Sequence, residues 1–456
     1  MKANMSSFTV FLYTTLFHVV LGIAKLISSW NPKVRTFFSV RKTLFEELEL
    51  TIDQQSSSSS TFRLWVHASS VGEFEQARPV IATMKERHPE LTLFVSFLSD
   101  SGYNARKNYP DATAVFYLPA DTRHNAKKLV ALLKPDVLLL MRYDFWPNHL
   151  VEAKKAGVKL ILAAAVLQKH APYFNPALKG FYQNIFHLFN QIFTASPKDT
   201  LAFREKFRCE YAETAGDPRF DQVWQRSRNS DGVDHIRSLY HKRMVLVAGS
   251  VWEQDEMLLL PAWKALGESV SLVLVPHQVN PENMARLYRE LDSRSLAYTP
   301  VSAMNGSFNP EKQILVIDQT GYLVELYSVA SIAYVGGGFG VNVHNTLEAA
   351  VYHIPVLFGP RYHNSPDAEG LVAAGGATVI HDQKELATAL GTLIHDTQQR
   401  ENIGKSAGKF VEQNIGATAI IVEGIESFFN QEANATRAGK SICPPRLHKY
   451  QRLKCP

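Results

Sequence analysis

The stretch Ser331–Pro360, SIAYVGGGFGVNVHNTLEAAVYHIPVLFGP, constrains this chain more than any other. Its pattern predicts a buried apolar strand over Ile332–Val335, a turn at Gly336, Gly337 and Gly338, a short helix over His344–Tyr352, and a second apolar strand over Ile354–Phe358 closed by Gly359 and Pro360. Strand, glycine turn, helix and strand in so short a span make a βαβ unit. The backbone N–H groups of such a turn, with the start of its helix, converge on a point that suits a phosphate or carboxylate. His344, Asn345 and Glu348 stand at that helix start, with Asn345 and Glu348 three residues apart on one face. The plainer alternative is a tight turn and nothing more, with Asn345 and Glu348 as helix caps.

The chain has 456 residues, so two domains are expected, and 46% apolar with 20% charged residues is ordinary globular material. Its net charge of +5 is modest, and no basic block interleaved with aromatics points to nucleic acid. A basic balance does suit an anionic membrane surface or a phosphorylated substrate. Cys209, Cys443 and Cys455 are scattered without C-x-x-C spacing, which predicts free thiols in a reducing compartment and no zinc site.

The N-terminus differs in kind. Phe8–Ala24 contains no Asp, Glu, Lys or Arg, only Lys2 precedes it, and Lys25, Lys33, Arg35, Arg41 and Lys42 follow. This predicts an uncleaved membrane anchor, spanning or interfacial, with the bulk of the protein on the cytoplasmic side. The absence of an A-x-A site and the downstream basic residues oppose a cleaved signal peptide. An amphipathic helix is expected over Val34–Leu50, then a flexible linker over Gln54–Ser60.

Strands are expected at Leu64–Ala68, Leu91–Phe97, Ala114–Leu118, Asp136–Met141, Leu160–Val166, Ile192–Ala195 and Ala212–Ala215, with helices between. The polar stretch Gly216–Arg243 is the expected crossing between domains. Alternation restarts with Met244–Ala248, Leu272–Val275, Ile314–Ile317, Ile332–Val335 and Pro355–Phe358. The predicted organisation is an anchor, helix and linker over 1–60, a Rossmann-like domain over 61–225, a second over 226–430 with a cleft between the two, and a basic, disordered tail over 431–456.

Function in such domains collects where strands end. The first strand runs into Ser69, Ser70, Val71, Gly72 and Glu73, ahead of a helix expected to start near Glu75. A carboxylate there can serve as general base on a hydroxyl or simply favour the helix dipole. The fourth strand opens on Arg142, Tyr143, Asp144, Phe145, Trp146, Pro147 and Asn148, where Pro147 starts a helix and Phe145 and Trp146 read as core packing. In the second domain Gly249, Ser250 and Glu253 follow one strand and His277 the next. With the glycine turn they offer a hydroxyl, an imidazole and backbone donors to a nucleotide monophosphate. No D-x-D motif is present, which favours a route without a metal.

HASSVGE (67–73), FWPN (145–148), GDPRFD (216–221), AGSVWEQDE (248–256), VPH (275–277) and GGGFGVNVHNTLEAA…PVLFGP resemble, in this order, the 3-deoxy-D-manno-octulosonic acid (Kdo) transferases of lipopolysaccharide synthesis. The resemblance runs from the anchor to about residue 428. It implies a glycosyltransferase of the two-Rossmann GT-B type that moves Kdo from CMP-Kdo to the lipid A precursor lipid IVA, inverts the anomeric centre, uses no cofactor or metal, and works at the cytoplasmic face of the inner membrane. It further implies Glu73 as the general base. It places Gly249, Ser250, Glu253, His277, Gly336, Gly337, Gly338, His344, Asn345 and Glu348 at the donor, and Ser70, Gly72, Arg142 and Asp144 at the acceptor.

This sequence departs from the family pattern at three points, which marks a divergent branch. Arg142, Tyr143, Asp144 and Phe145 stand for E-T-E-L, Pro276, His277 and Gln278 for P-R-H, and Ala165, Val166, Leu167 and Gln168 for A-R-x-S. The alternatives are another GT-B glycosyltransferase using a UDP-sugar on a lipid acceptor, a sugar-nucleotide epimerase, which needs no anchor, and a non-catalytic membrane scaffold.

Overall fold

Apolar strands alternating with helices produce two parallel sheets in the computed structural model, which describes residues 7–55, 62–168, 171–228, 231–241, 243–304, 306 and 308–438. The first holds β1 (Arg63–Ala68), β2 (Thr92–Phe97), β3 (Ala114–Tyr117), β4 (Val137–Met141), β5 (Lys159–Ala165), β6 (Gln191–Thr194) and β7 (Ala212–Thr214). Their order is β3-β2-β1-β4-β5-β6-β7. The second holds β8 (Val245–Val251), β9 (Ser271–Pro276), β10 (Tyr298–Pro300), β11 (Ile314–Val316), β12 (Ile332–Val335), β13 (Val356–Phe358) and β14 (Ala377–Val379), ordered β10-β11-β9-β8-β12-β13-β14.

Central strands of a parallel sheet are covered on both faces, so they read as unbroken apolar runs. β4, VLLLM, is buried along its whole length. Trp65, Phe94 and Leu138 pack into the core on one face, and Leu64, Val66, Leu93 and Val95 into the core on the other. β10 and β14 lie outside the expected strands. Both are three-residue sheet edges, and β10 ends on Pro300, so neither carries an apolar run.

The chain winds from β1 to β2 and β3 on one side, then returns to β4 beside β1 on the other. β8 and β12 are the corresponding neighbours in the second sheet. At such a switch point the connections leave in opposite directions and open a crevice at the carboxyl ends of the strands. The polar segments singled out from sequence follow these four strands.

Two compact units result, Asp217–Ala417 forming one and Met1–Gly216 with Thr418–Pro456 the other. The crossing lies nine residues ahead of the expected 225/226 boundary, because Pro218–Ser227 is already a helix of the second unit. The return also comes earlier than residue 430. In the last helix, Ala417–Ala438, Ile421, Val422 and Ile425 join the first sheet's core, and Glu426 pairs with Arg87 at 3.0 Å and His88 at 2.9 Å. The expected disordered tail therefore begins inside a helix, and its residues 439–456 lie outside the described residues.

The N-terminal segment is three helices, α1 (Ser7–Ile27), α2 (Pro32–Ser39) and α3 (Leu44–Gln55). Thr9–Ile27 is long and apolar enough to cross a membrane. Within the first unit, Tyr13 Oη donates to Asp121 Oδ2 at 2.9 Å and Thr14 Oγ1 to Asn148 Oδ1 at 2.8 Å. The single amphipathic helix expected over Val34–Leu50 is broken between α2 and α3. Arg41, in the break, donates from Nε to Leu118 O (2.8 Å) and from a terminal nitrogen to Leu98 O (3.0 Å), while Leu44 and Leu48 are buried in the core beside β3. The expected linker lies outside the described residues from position 56 to 60.

Arg41→Ala removes charged donors from two carbonyls that follow strands of the first sheet, and the first unit should lose about 2 kcal/mol of stability. Urea unfolding followed by tryptophan fluorescence reads this as a lower midpoint at unchanged slope.

Candidate functional site

β1 delivers Ala68 and Ser69 to helix α4 (Val71–Arg87), which starts a turn earlier than Glu75 because Ser70 caps it, its Oγ accepting from Glu73 N at 3.5 Å. Glu73 is thereby the third helical residue and its side chain folds back, Oε2 accepting from Ser69 N at 2.5 Å. It is 8% exposed, and Oε1 has no protein partner among the described residues. One oxygen is held and the other is open, the arrangement a proton acceptor needs. Gly72 is exposed, with only Ser70 Oγ within 4.0 Å of where a Cβ would sit.

At the end of β4, Arg142 adopts a left-handed backbone (φ 61°), its N–H donates to Ala163 O at 2.9 Å, and its Nε donates to Gln76 Oε1 at 2.7 Å. Two residues on, Asp144 Oδ2 accepts from His67 Nε2 at 3.1 Å, from Trp146 Nε1 at 2.9 Å and from Ser69 Oγ. His67 is buried in β1, and its Nδ1 meets Ser96 Oγ at 2.8 Å, which also accepts from Trp65 Nε1 at 2.8 Å. Burial pushes the Glu73 carboxyl up, Ser69 N–H opposes it, and the Asp144 charge pushes further up against His67 and Arg142. For Asp144 burial also pushes up, but the hydrogen bonds and charge of His67, with Ser69 and Trp146, leave it below the usual carboxylate range.

Of the residues expected here, Ser70, Glu73, Arg142 and Asp144 come together at the carboxyl ends of the neighbouring strands β1 and β4. Sequence reasoning left out Ser69, Gln76 and His67. The only signal for His67 is a histidine inside the apolar strand LWVHA. Phe145 packs on Phe186 and Phe189 as expected, whereas Trp146 also holds Asp144 and meets Phe17 of α1 edge-on.

In the second unit β8 slips register between Ala248 and Val251, and Ser250 takes a left-handed backbone (φ 53°). Gly249 is required there, since a Cβ would fall 2.0 Å from Tyr327 Oη. Asp255, fully buried in the helix Glu253–Leu266, accepts from Trp252 N (2.9 Å), Gly337 N (2.8 Å) and Tyr334 Oη (2.8 Å). Burial pushes its carboxyl up, and these donors pull it down.

Two of the three amides in the glycine turn are not the open backbone donors expected from sequence. Gly336 N donates to Gly249 O at 2.9 Å and Gly337 N to Asp255, so both amides are spent inside the fold. The glycines are there for close approach, since a Cβ on Gly336 would lie 2.3 Å from Ser250 O and one on Gly338 2.6 Å from Gly359 N. The following helix spans only Leu347–Ala350, and a left-handed His353 (φ 58°) with Pro355 beyond it prevents the expected run to Tyr352. Asn345 Nδ2 donates to Glu348 Oε1 at 3.1 Å, and Asn345 Oδ1 accepts from Leu347 N at 3.2 Å.

His344 lies beside Trp252, whose Nε1 donates to His344 Nε2 at 2.8 Å, and His277 stacks across both at 4.3 and 4.5 Å. Burial, with His277 alongside, pulls His344 down to about 4. A cavity of about 540 Å³ adjoins this stack, lined among others by Trp252, Glu253, His277, Gln278, Arg286 and Arg289. Arg286 also holds the buried Glu256 through two bonds of 2.7 and 2.8 Å. These two arginines, not seen from sequence, line the same cavity as His277, which stands where the family pattern has an arginine. Among the described residues no group of three or more His, Cys, Asp or Glu is placed to hold a metal ion.

Residues 41–222 match the family model described as 3-Deoxy-D-manno-octulosonic-acid transferase (kdotransferase). The chain matches the Kdo-transferase family. It is 26% identical over 415 residues to the 3-deoxy-D-manno-octulosonic acid transferase of Rickettsia bellii, covering 89% of this chain and 95% of that protein. The protein of the same name from Haemophilus influenzae is 21% identical over 436 residues, covering 92% and 99%. Of solved structures, UDP-GlcNAc 2-epimerase from Neisseria meningitidis bound to UDP-GlcNAc superposes with TM-score 0.55 at 15% identity, over 80% of this chain and 100% of that one. That likeness shows the two-sheet α/β architecture, consistent with GT-B, and nothing of activity. This Kdo-transferase relative is a glycosyltransferase.

Asp255→Ala strips the acceptor from two buried donors and one half-buried donor, and the second unit should lose about 3 kcal/mol, with Asp255→Asn losing less. Differential scanning calorimetry of the full chain checks both as falls in the corresponding transition.

Proposed function

We propose that this chain transfers Kdo from CMP-Kdo to lipid IVA at the cytoplasmic face of the inner membrane, with inversion and without a metal. The observation that carries this reading is Glu73, half-held by Ser69 N and open at Oε1, at the switch point of a chain that matches the Kdo-transferase family. The second unit then takes the donor through Ser250, Glu253, His277, His344, Asn345 and Glu348, with Gly249 and the three glycines shaping the backbone beneath them. Ser70, Gly72, Arg142 and Asp144 line the acceptor side. The apolar α1, followed by Lys25, Lys33 and Arg35, holds the enzyme to an anionic membrane surface.

In this mechanism Glu73 Oε1 takes the proton of a lipid hydroxyl as its oxygen bonds to the anomeric carbon. The bond from that carbon to the CMP oxygen breaks, and its electron pair leaves on the phosphate. Negative charge shifts from Glu73 towards departing CMP, so the hydrogen-bond donors of the second unit act where charge develops. Arg289, with Arg286 beside it, supplies the cationic surroundings that His277, standing in place of the family's arginine, does not.

Mass spectrometry of lipid IVA after incubation with CMP-Kdo and the full-length protein tests the pairing. A Kdo increment is expected, retained with a chelator and lost in Glu73→Ala. No increment from folded wild type, or one that appears only with a UDP-sugar, overturns the assignment.

The pH dependence tests the base separately. With its carboxyl raised chiefly by burial, Glu73 is protonated and idle at low pH, and kcat/KM should climb through a limb above the usual carboxylate range. Asp144→Asn removes a negative neighbour and should move that limb down, whereas Arg142→Ala removes a positive one and should move it up.

A further inference from the structure

Trp252 and His344 are joined by a bond whose polarity is fixed by chemistry. An indole Nε1 carries a hydrogen and no lone pair, so it only donates. At 2.8 Å from it, His344 Nε2 must be the acceptor. The ring's single hydrogen is then on Nδ1, and the imidazolium is excluded while the bond holds.

The ring is held in place as well as in tautomer. Trp252 and His344 are within 8° of coplanar, and His277 lies flat across both. The His344 backbone N–H is tied to Gly336 O at 3.1 Å, and a Cβ on Gly337 would come within 3.0 Å of His344 Cδ2. Nδ1 has no protein partner among the described residues, and it is not among the buried polar atoms left unsatisfied. A half-buried donor with a fixed direction is left open at the carboxyl end of β12.

We propose that Trp252 is a positioning residue that locks His344 as the neutral Nδ1–H tautomer, so that His344 offers a hydrogen bond, and never a proton, to an anionic oxygen of the nucleotide donor. This rests on the reading of the second unit as the donor unit. A phosphate leaving group needs no acid at neutral pH, since its second ionisation lies near 6. What it needs is a donor that does not exchange roles, and an indole partner enforces that where a carboxylate or carbonyl partner would enforce the opposite tautomer. The depressed proton affinity of His344 agrees with this.

Two-bond ¹⁵N–¹H spectra of the full-length protein with ¹⁵N-histidine decide the tautomer, with His344 assigned by its loss in His344→Asn. The Nδ1–H form is expected in wild type, with a shift towards Nε2–H in Trp252→Phe. An Nε2–H form in wild type, or an unchanged tautomer in Trp252→Phe, overturns the proposal. Titration with CMP and with cytidine decides the role. His344→Gln, whose amide reaches the Nε2 position only, should weaken CMP binding about tenfold, while His344→Asn, which keeps a donor near Nδ1, should retain most of it, and cytidine binding should be unmoved in both. Equal losses in the two variants, or none in His344→Gln, count against the role. Wild type that binds no CMP overturns the donor reading, and the spectra still decide the tautomer.

Discussion

Parallel strands that send their connections to opposite faces leave a crevice at their carboxyl ends, and the candidate site residues of this chain depend on that constraint. Each sheet has one such point, between β1 and β4 and between β8 and β12. A crevice between diverging loops exposes backbone that has to be satisfied without filling the space. The chain solves this with buried or half-buried carboxylates. Asp121 accepts from Asn148 N and His149 N at the start of the helix Pro147–Lys155, Asp144 gathers His67, Ser69 and Trp146, and Asp255 gathers Trp252, Gly337 and Tyr334. Each draws loops from two strands or a strand and a helix together through one side chain.

The same loops carry backbone that ordinary residues avoid. Arg142 and Ser250, neither of them glycine, adopt left-handed conformations just beyond or within the end of a central strand. Such conformations persist only where the surroundings over-determine them. Arg142 is held by Ala163 O and Gln76, and beside Ser250 the Gly249–Gly336 bond pins the strand end.

This explains what was legible in the sequence and what was not. Strands with unbroken apolar runs, such as VLLLM and LWVHA, declare themselves because burial on both faces admits nothing else. β10 and β14 do not, being short edges without such runs. The glycine turn was visible as a turn but not in its use, since GGG reads the same whether its amides face a ligand or another loop. Only the position of Asp255 decides between these, and a W-x-x-D start to a helix says no more than a cap. Glu73 stood out as a carboxylate at a strand end, while the Trp65–Ser96–His67–Asp144 chain beneath it joins β1, β2 and the loop after β4 and has no local signature.

Distances along the chain also account for the misplaced return to the first unit. Ile421, Val422 and Ile425 form an ordinary helical stripe, and nothing in the stripe itself says which of two sheets it covers. The choice is made by its partners, Phe193 against Gly424 and Arg87 with His88 at Glu426, all in the first unit and all more than two hundred residues earlier. A side chain at position 424 would strike the Phe193 ring at 2.3 Å, so the small residue marks where the helix lies closest to β6. The helix is therefore an integral part of the unit that carries Glu73.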